Sequence, residues 1–223
     1  MSDLSSLGEA ILKGDAAAAV AATRQALEGG ADPLSLVSLG ISPAMTEMGR
    51  QFEEGDCFVP ELLMAARATK QVFEILRPLL SQKGAQPVAR VALGTVRGDM
   101  HDIGKNLVAA LLEGGGFEVI DLGVDVPPER FVAAVRDRKP EIVGLSALLT
   151  TTLPGMKTTI EALRSAGIRG SVKVIVGGAP VTGSFADAIG ADGYAESAGA
   201  AVDLARRLIG LDVARRAKGE VTT

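Results

Sequence analysis

The single histidine of the chain, His101, lies in a short run of residues that could bind a metal or a cofactor. The run reads GDMHDIG, with Asp99 two residues before the histidine and Gly104 three residues after it. A neutral imidazole is a common metal ligand. A lone histidine is more often structural, however, and Asp99 and Asp102 could simply cap a helix that follows them. The run is therefore a hypothesis that needs support from the rest of the chain.

The cysteine content limits which metal sites are possible. With one cysteine, Cys57, and one histidine, those residue types cannot form a structural zinc cage, and Cys57 cannot form an internal disulfide. If His101 binds a metal, another molecule supplies the remaining ligands. We interpret Cys57 as a buried thiol without a role in the chemistry.

Two further runs follow short apolar segments later in the chain. The first covers residues 146–152 and reads SALLTTT, and the second is the pair Gly177-Gly178. The pair alone could be only a tight turn between a strand and a helix. Each run nevertheless occupies the same kind of position as the His101 run, directly after a predicted strand.

The elements that would position these runs are short strands alternating with helices. From Val88 onward the strand candidates read VARVALGTV, FEVIDLG, EIVGLSAL, VKVIVGG and ADGYA. Their nearly continuous apolar character predicts burial on both faces, and therefore a parallel sheet covered by helices. We predict a five-stranded, doubly wound α/β domain with the flavodoxin-like strand order 2-1-3-4-5. In that order the loops after strands 1, 3 and 4 converge at one edge, where such sheets bind ligands.

The residues before this region have helical periodicity. Residues 1–82 predict four to five helices, with start signals at Asp32-Pro33, at Ser42-Pro43 and at Pro60. Residues 81–87 read as a linker. We therefore predict a helical domain over residues 1–82 and an α/β domain over residues 88–223.

Composition excludes several classes of function. The 223 residues carry a net charge of −4, no basic block, no tryptophan and one tyrosine, which argues against nucleic-acid binding. No apolar run approaches the roughly 18 residues that a membrane span needs. The first residues lack the pattern of a secretory signal, so we expect a cytoplasmic protein without membrane partners.

Taken together, DMHDIG, Ser146-x-Leu148 and Gly177-Gly178 resemble the cobalamin-binding domain shared by methionine synthase and the corrinoid proteins of methyltransferase systems. The stretch GTVRGDMHDIGKNLVAALLEGGGFEVIDLGVDVPPERFV is similar to that domain, and EEGDCFVPELLMAARATKQVF is similar to the helical cap that precedes it in methionine synthase. The chain leaves no room for the other modules of methionine synthase. It looks more like the free-standing corrinoid proteins that serve methylamine, methanol, glycine betaine or methoxyarene methyltransferases.

The resemblance assigns roles to several residues. It implies that His101 is the lower axial ligand of cobalt in base-off cobalamin, replacing the cofactor's own dimethylbenzimidazole. Asp99 would hold the second ring nitrogen of His101. Thr152 would extend this relay, although methionine synthase has serine at that position. Because His101 must leave the cobalt and return in each cycle, protonation of the Asp99–His101 pair is an expected control.

The resemblance also implies a larger set of residues around the cofactor. Ser146 and Thr150 would contact the displaced nucleotide tail, and Gly104 and the glycine pair would leave room for it. Phe58 would shield the methyl face of the corrin, within a lid formed around Leu62, Leu63 and Met64. The full predicted cofactor-binding set is Phe58, Gly98, Asp99, Met100, His101, Asp102, Gly104, Ser146, Leu148, Thr150, Gly177, Gly178 and Ala198.

The implied function is that of a corrinoid methyl carrier, an enzyme component rather than a complete enzyme. Co(I) of the bound cobalamin would accept a methyl group from a substrate-specific methyltransferase, and the methyl group would pass to a second methyltransferase with a folate-type or thiol acceptor. A reductive activase would restore oxidised cobalt. A cobalamin-dependent sensor and the small subunit of a carbon-skeleton mutase are the alternatives. The identity of the methyl donor stays open, because its recognition belongs to the partner.

Overall fold

The computed structural model describes residues 2–82 and 87–211 of the chain. We refer to residues 2–82 as the helical half and to residues 87–211 as the α/β half. Residues 83–86 of the predicted linker, and residues 212–223 at the end of the predicted α/β domain, lie outside the described residues. The division into two domains stays a prediction.

The helical half contains the five helices that the sequence allowed. They are α1 (Ser2–Leu12), α2 (Ala16–Glu28), α3 (Pro33–Ser35), α4 (Ser42–Glu54) and α5 (Val59–Gln82), with a π-helical segment (Leu36–Ile41) joining α3 to α4. The start signal at Asp32 is confirmed, because its side chain accepts a hydrogen bond from the Ser35 N–H at 3.2 Å. The predicted linker began too early, since α5 continues to Gln82.

Helix α4 begins at Ser42 as predicted, but the capping role predicted for the Ser42 side chain is wrong. The chain is already helical when it reaches Ser42, because the π-helical segment leads directly into α4. The Ser42 hydroxyl, with no free helix terminus to cap, instead donates a long hydrogen bond of 3.4 Å to the carbonyl oxygen of Gly114 in the α/β half. The serine therefore links the two halves of the molecule.

The α/β half confirms the predicted sheet. The described residues form five parallel strands in the order β2-β1-β3-β4-β5. The strands are β1 (Arg90–Val96), β2 (Glu118–Val126), β3 (Ile142–Ser146), β4 (Lys173–Gly177) and β5 (Gly193–Ala195). The helices are α6 (Ile103–Gly114), α7 (Pro128–Arg138), α8 (Leu153–Ser165), α9 (Gly183–Ile189) and α10 (Ala198–Leu208).

Two apolar cores cover the two faces of the sheet. Helices α7, α8 and α9 pack on one face, through residues such as Phe131 and Met156. Helices α6 and α10 cover the other face, and their core is continuous with that of the helical half, where Leu7 and Leu62 are fully buried. The helical half is therefore fixed against one face of the α/β half. In the part of the chain that the structure describes, no helix is long and apolar enough to cross a membrane.

Candidate functional site

The three runs singled out in the sequence meet at the carboxyl edge of the sheet. Thr95 of β1 is in register with Ser146 of β3, and Ser146 is in register with Gly177 of β4. The residues that follow these strands therefore leave the sheet side by side. The predicted convergence of the loops is confirmed.

Asp99 is the centre of this edge. Its side chain is fully buried and accepts hydrogen bonds at both carboxylate oxygens. Oδ1 accepts from the His101 ring nitrogen Nδ1 at 2.6 Å and from the His101 N–H at 3.1 Å. Oδ2 accepts from the N–H groups of Leu148 at 2.8 Å and Leu149 at 3.3 Å and from the Thr152 hydroxyl at 2.7 Å. One carboxylate thus ties the loop after β1 to the loop after β3.

These contacts keep Asp99 ionised. Burial alone would raise the pKa of the Asp99 carboxyl, because it removes the charge from water. The hydrogen bonds from Leu148, Thr152 and His101 outweigh that effect and hold the pKa well below its usual range. Asp99 is therefore a hydrogen-bond acceptor only, and the Nδ1 nitrogen of His101 must carry the shared proton.

His101 presents its second ring nitrogen away from this network. The side chain is about half exposed, at 49%. Its backbone carbonyl accepts a hydrogen bond from the Thr95 hydroxyl at 2.8 Å, which ties the backbone of His101 to β1. Among the described residues, Nε2 has no hydrogen-bond partner. Because Nδ1 bears the proton, Nε2 has a free lone pair that can bind a metal.

Thr152 supplies a hydroxyl to Asp99 in the position that the sequence predicted. The hydroxyl oxygen lies 2.7 Å from Asp99 Oδ2 and 2.8 Å from the carbonyl oxygen of Leu149. A hydroxyl has a single proton, and the carboxylate is the stronger acceptor. The chain of contacts therefore runs from Thr152 through Asp99 to His101.

Thr152→Val is expected to destabilise the protein by about 1–2 kcal/mol, because the buried charge of Asp99 loses a hydrogen bond. Thr152→Ser keeps the hydroxyl and is expected to retain most of the stability. Thr158→Val removes an exposed hydroxyl that bonds only within α8 and serves as the control. Urea unfolding of the three variants measures the effect. Equal stabilities of the Thr152→Val and Thr152→Ser variants would contradict the assignment of the hydrogen bond.

A cavity of about 380 Å³ opens between α6, α10 and the carboxyl ends of β1, β3 and β4. Its walls are mainly apolar, and Lys105 lines it on the α6 side. Five residues of the predicted cofactor set surround it: Gly104, Ser146, Gly177, Gly178 and Ala198. Leu148 and Thr150 do not line the cavity; Leu148 instead donates to Asp99 through its backbone.

Gly178 and Gly104 differ in what a side chain would meet at their positions. A Cβ atom on Gly178 would lie 1.9 Å from the Ala147 carbonyl oxygen, and its φ of +129° is unfavourable for other residues. The backbones after β3 and β4 can approach each other only because Gly178 has no side chain. A Cβ atom on Gly104, in contrast, would meet no atom within 4 Å. Gly104 leaves space open at the cavity without being needed for the fold.

Exposed apolar side chains surround His101. The exposed fractions are 69% for Met100, 63% for Ile103, 44% for Leu148 and 43% for Leu149. Met100 precedes His101 in the loop after β1, and Ile103 is the first residue of α6. The backbone N–H groups of Leu148 and Leu149 donate to Asp99, which also accepts from the His101 ring. Contiguous exposed apolar residues often mark a ligand surface. We call these four residues the apolar platform.

The cap of α6 differs from the sequence prediction. Asp102 occupies the residue before α6, but its side chain makes no capping hydrogen bond to the helix backbone. Its Oδ2 instead accepts from the side-chain amide of Asn106 at 3.1 Å. Asp102 therefore lies at the helix start as predicted, but the predicted partner of its side chain is wrong.

The predicted lid residues do not share one surface. Leu62 is fully buried in the core of the helical half, so its assignment to a lid is wrong. Leu62 follows the helical period of α5 that faces the core, which the resemblance did not take into account. Phe58 is 68% exposed, and Leu63 and Met64 are also exposed. Phe58 does not line the cavity described above.

The residues at the end of β2 were missed in the sequence. This strand is the neighbour of β1, so its carboxyl end also faces the His101 loop. Asp125 Oδ1 accepts from the Gly98 N–H at 2.7 Å, and the Asp125 N–H donates to the Asp99 carbonyl oxygen at 2.9 Å. The signal was available, because Asp125 lies two residues after the predicted second strand FEVIDLG and the predicted strand order already placed that strand beside the first.

An ion pair between Lys105 and Asp121 links α6 to β2. The Lys105 ammonium lies 2.7 Å from Oδ1 and 2.8 Å from Oδ2 of Asp121, and 2.7 Å from Oδ1 of Asn106. The Lys105 side chain is 2% exposed, whereas that of Asp121 is 50% exposed. The ion pair therefore has one buried member and one hydrated member.

This asymmetry predicts unequal effects of removing either partner. Lys105→Met is expected to destabilise the fold by only about 1 kcal/mol, because water replaces the lysine at Asp121. Asp121→Asn is expected to cost about 3 kcal/mol, because it leaves a buried ammonium without its counter-ion. Urea unfolding at neutral pH measures both values. A larger loss for Lys105→Met than for Asp121→Asn would contradict this interpretation.

Comparison with known proteins agrees with this geometry. A family model described as a B12 binding domain matches residues 89–203, and a second model with the same description matches residues 4–77. Trimethylamine corrinoid protein 1 of Methanosarcina mazei is 46% identical over 184 residues, which are 82% of this chain and 84% of the relative. Dimethylamine corrinoid protein 1 of Methanosarcina acetivorans is 44% identical over 86% of this chain and 90% of the relative.

Two solved structures superpose on most of this chain. A cobalamin-binding protein from Desulfitobacterium hafniense superposes with a TM-score of 0.76 at 33% identity, over 94% of this chain and all of that chain. A chain of the methanol:cobalamin methyltransferase complex of Methanosarcina barkeri superposes with a TM-score of 0.83 at 32% identity. That match covers 93% of this chain and 80% of the other.

Proposed function

This chain belongs to the family of cobalamin-binding corrinoid proteins, and we propose on that premise that it carries a methyl group on bound cobalamin from one methyltransferase to another. The observation that carries the proposal is the His101 imidazole, which is fixed by a buried carboxylate at Nδ1 and free at Nε2. When bound, cobalamin supplies a cobalt centre that can take up and release a methyl group. The residues of this chain would bind the cofactor and hold it in place for that chemistry.

The residues at the carboxyl edge fit a base-off cobalamin. Nε2 of His101 would bind the cobalt, and the apolar platform would contact the corrin ring. The cavity of about 380 Å³ beside Gly104 would hold the nucleotide tail that His101 displaces. Ser146, Gly177, Gly178 and Ala198 would line the path of that tail. Imidazole nitrogen is a suitable donor for cobalt, so the chemistry of the site agrees with its shape.

Asp99 and Thr152 would set the state of the ligand. The carboxylate accepts the Nδ1 proton, which fixes the tautomer in which Nε2 is unprotonated. Thr152 donates to the other carboxylate oxygen and so restricts its rotation. Uptake of a proton by the Asp99–His101 pair would favour release of His101 from the cobalt, in line with the control expected from the sequence. The Asp99–His101 pair would thereby allow the ligand to leave the cobalt and return to it.

We propose three protein partners. A substrate-specific methyltransferase would load the carrier, and a second methyltransferase would unload it to a folate-type or thiol acceptor. A reductive activase would restore the cofactor after accidental oxidation. The relatives are named for trimethylamine and dimethylamine, and a structural neighbour belongs to a methanol:cobalamin methyltransferase complex. These names favour a methyl carrier over a cobalamin-dependent sensor or a mutase subunit.

Label transfer tests the proposal. The chain is loaded with hydroxocobalamin, reduced, and mixed in turn with methyltransferases for trimethylamine, dimethylamine and methanol and their substrates labelled in the methyl group. Label on the cofactor of this chain with at least one of the three supports the carrier function. Tight binding of cobalamin without label from any of the three, and without label from glycine betaine or methoxyarene methyltransferases, would favour the sensor alternative.

A further inference from the structure

The carboxyl end of β2 contacts the loop that carries His101. The pairing of β1 with β2 shifts register twice, between Leu93 and Gly94 and between Gly94 and Val96. These irregularities bring Asp125 out of the regular ladder, and its φ of +50° lies in the left-handed region that few residues other than glycine adopt. A strained backbone next to a site often has a positioning role.

Asp125 holds this loop at two points. Residues 96–99 form a tight turn that is closed by a hydrogen bond of 3.1 Å from the Asp99 N–H to the Val96 carbonyl oxygen. Gly98, with a φ of +86°, is the third residue of the turn. Its N–H donates to Asp125 Oδ1 at 2.7 Å, and the backbone N–H of Asp125 donates to the Asp99 carbonyl oxygen at 2.9 Å.

These contacts reach the imidazole through a single residue. Asp99 receives the backbone bond from Asp125 and, through its side chain, holds both the ring and the backbone N–H of His101. Any displacement of the turn therefore moves the carboxylate that fixes Nδ1.

We propose that Asp125 is a positioning residue, which sets the resting place of the Asp99–His101 pair and so the strength with which His101 binds cobalt. The inference rests on the proposed function, in which His101 is the ligand. Asp125 acts through its carboxylate oxygen on Gly98 and through a left-handed backbone that directs its N–H to Asp99. Aspartate, asparagine and glycine are the residues that best tolerate this backbone.

Three variants separate the hydrogen bond from the backbone and from the charge. Asp125→Gly keeps the left-handed backbone and removes the acceptor. Asp125→Asn keeps both the backbone and an acceptor oxygen but removes the charge. Asp137→Ala removes a charge from an exposed residue at the end of α7, which lies toward the opposite edge of the sheet because α7 runs antiparallel to the strands.

The experiment measures the fraction of bound hydroxocobalamin with protein imidazole ligation, from its visible spectrum, for the full chain and each variant. Asp125→Gly is expected to weaken the ligation about three- to tenfold, the usual effect of one lost hydrogen bond. Asp125→Asn and Asp137→Ala are expected to match the wild type. In the cofactor-free proteins, amide hydrogen exchange at Gly98 is expected to accelerate only in Asp125→Gly.

Each other outcome overturns part of the account. Wild-type ligation in Asp125→Gly would overturn the positioning role, and so would an equal loss in Asp125→Asn, which would assign the effect to charge. If the wild-type protein itself shows no imidazole ligation, the proposed function fails together with this inference. Intact wild-type ligation with unaffected variants would overturn the inference alone.

Discussion

Replacement of His101 by alanine is expected to abolish protein imidazole ligation of bound cobalamin and to weaken cobalamin binding about 100-fold or more. Loss of a partner one step removed from a metal ligand already costs roughly 10- to 100-fold in affinity, and His101 would be the ligand itself. The chain contains one histidine, so no other imidazole can take its place. Equilibrium titration with hydroxocobalamin, followed by visible spectroscopy, measures both effects.

Two controls separate ligation from folding in this experiment. The His101 ring is about half exposed, and Asp99 keeps its hydrogen bonds to the loop after β3, so the free energy of unfolding of the cofactor-free variant should fall by only about 1 kcal/mol. Added free imidazole is expected to restore the ligated spectrum of His101→Ala. If His101→Ala bound cobalamin with the wild-type spectrum and affinity, His101 would not be the cobalt ligand.

Gly104→Leu is expected to weaken cobalamin binding by roughly 10- to 100-fold or more while leaving the fold intact. The new side chain would enter the space beside α6 that the displaced nucleotide tail needs, and overfilling such a site typically costs about 1–3 kcal/mol. In the cofactor-free protein a Cβ atom at this position meets no other atom within 4 Å. Leucine is also the better helix former, so stability should be unchanged or higher by up to about 1 kcal/mol.

Gly170→Leu is the matched control for this prediction. A Cβ atom on Gly170 also meets no atom within 4 Å, but Gly170 lies in the short helical turn Arg169–Ser171 that precedes β4, at the opposite edge of the sheet. Thermal unfolding and cobalamin titration are compared for both variants. Wild-type cobalamin affinity in Gly104→Leu would show that the nucleotide tail does not enter this cavity.

The sheet could be predicted from the sequence because its strands share one feature, a short run of apolar residues. Runs such as IVGLS in β3 and KVIVG in β4 are nearly continuous in apolar residues, as burial on both faces requires. The flavodoxin-like strand order, adopted as a common order for such a sheet, then brought the loops that carry His101, Ser146 and Gly177 to one edge. The contacts of Asp99 with His101 and Thr152 were likewise anticipated, through family resemblance and not through spacing alone.

The residues that escaped prediction depend on tertiary contacts. Ser42 has the local pattern of a helix cap, but a helix already in progress overrides it. Leu62 lies next to exposed residues in sequence and is nevertheless in the core, because the helix turns it inward. The predicted strand order places Asp125 at the correct edge of the sheet, but its contacts with Gly98 and Asp99 depend on the register shifts between β1 and β2, which local patterns do not encode. Local sequence patterns predict elements, whereas these side-chain partners depend on how the elements meet.

Electron paramagnetic resonance of Co(II) cobalamin bound to the chain is the most direct test of the central claim, that His101 is the cobalt ligand. The protein is labelled with nitrogen-15 histidine and loaded with unlabelled hydroxocobalamin, which is then reduced to Co(II). Since His101 is the one histidine of the sequence, its coordination predicts cobalt lines split into doublets by nitrogen-15. Triplets from the cofactor's own unlabelled dimethylbenzimidazole, or lines without nitrogen splitting, would contradict the account.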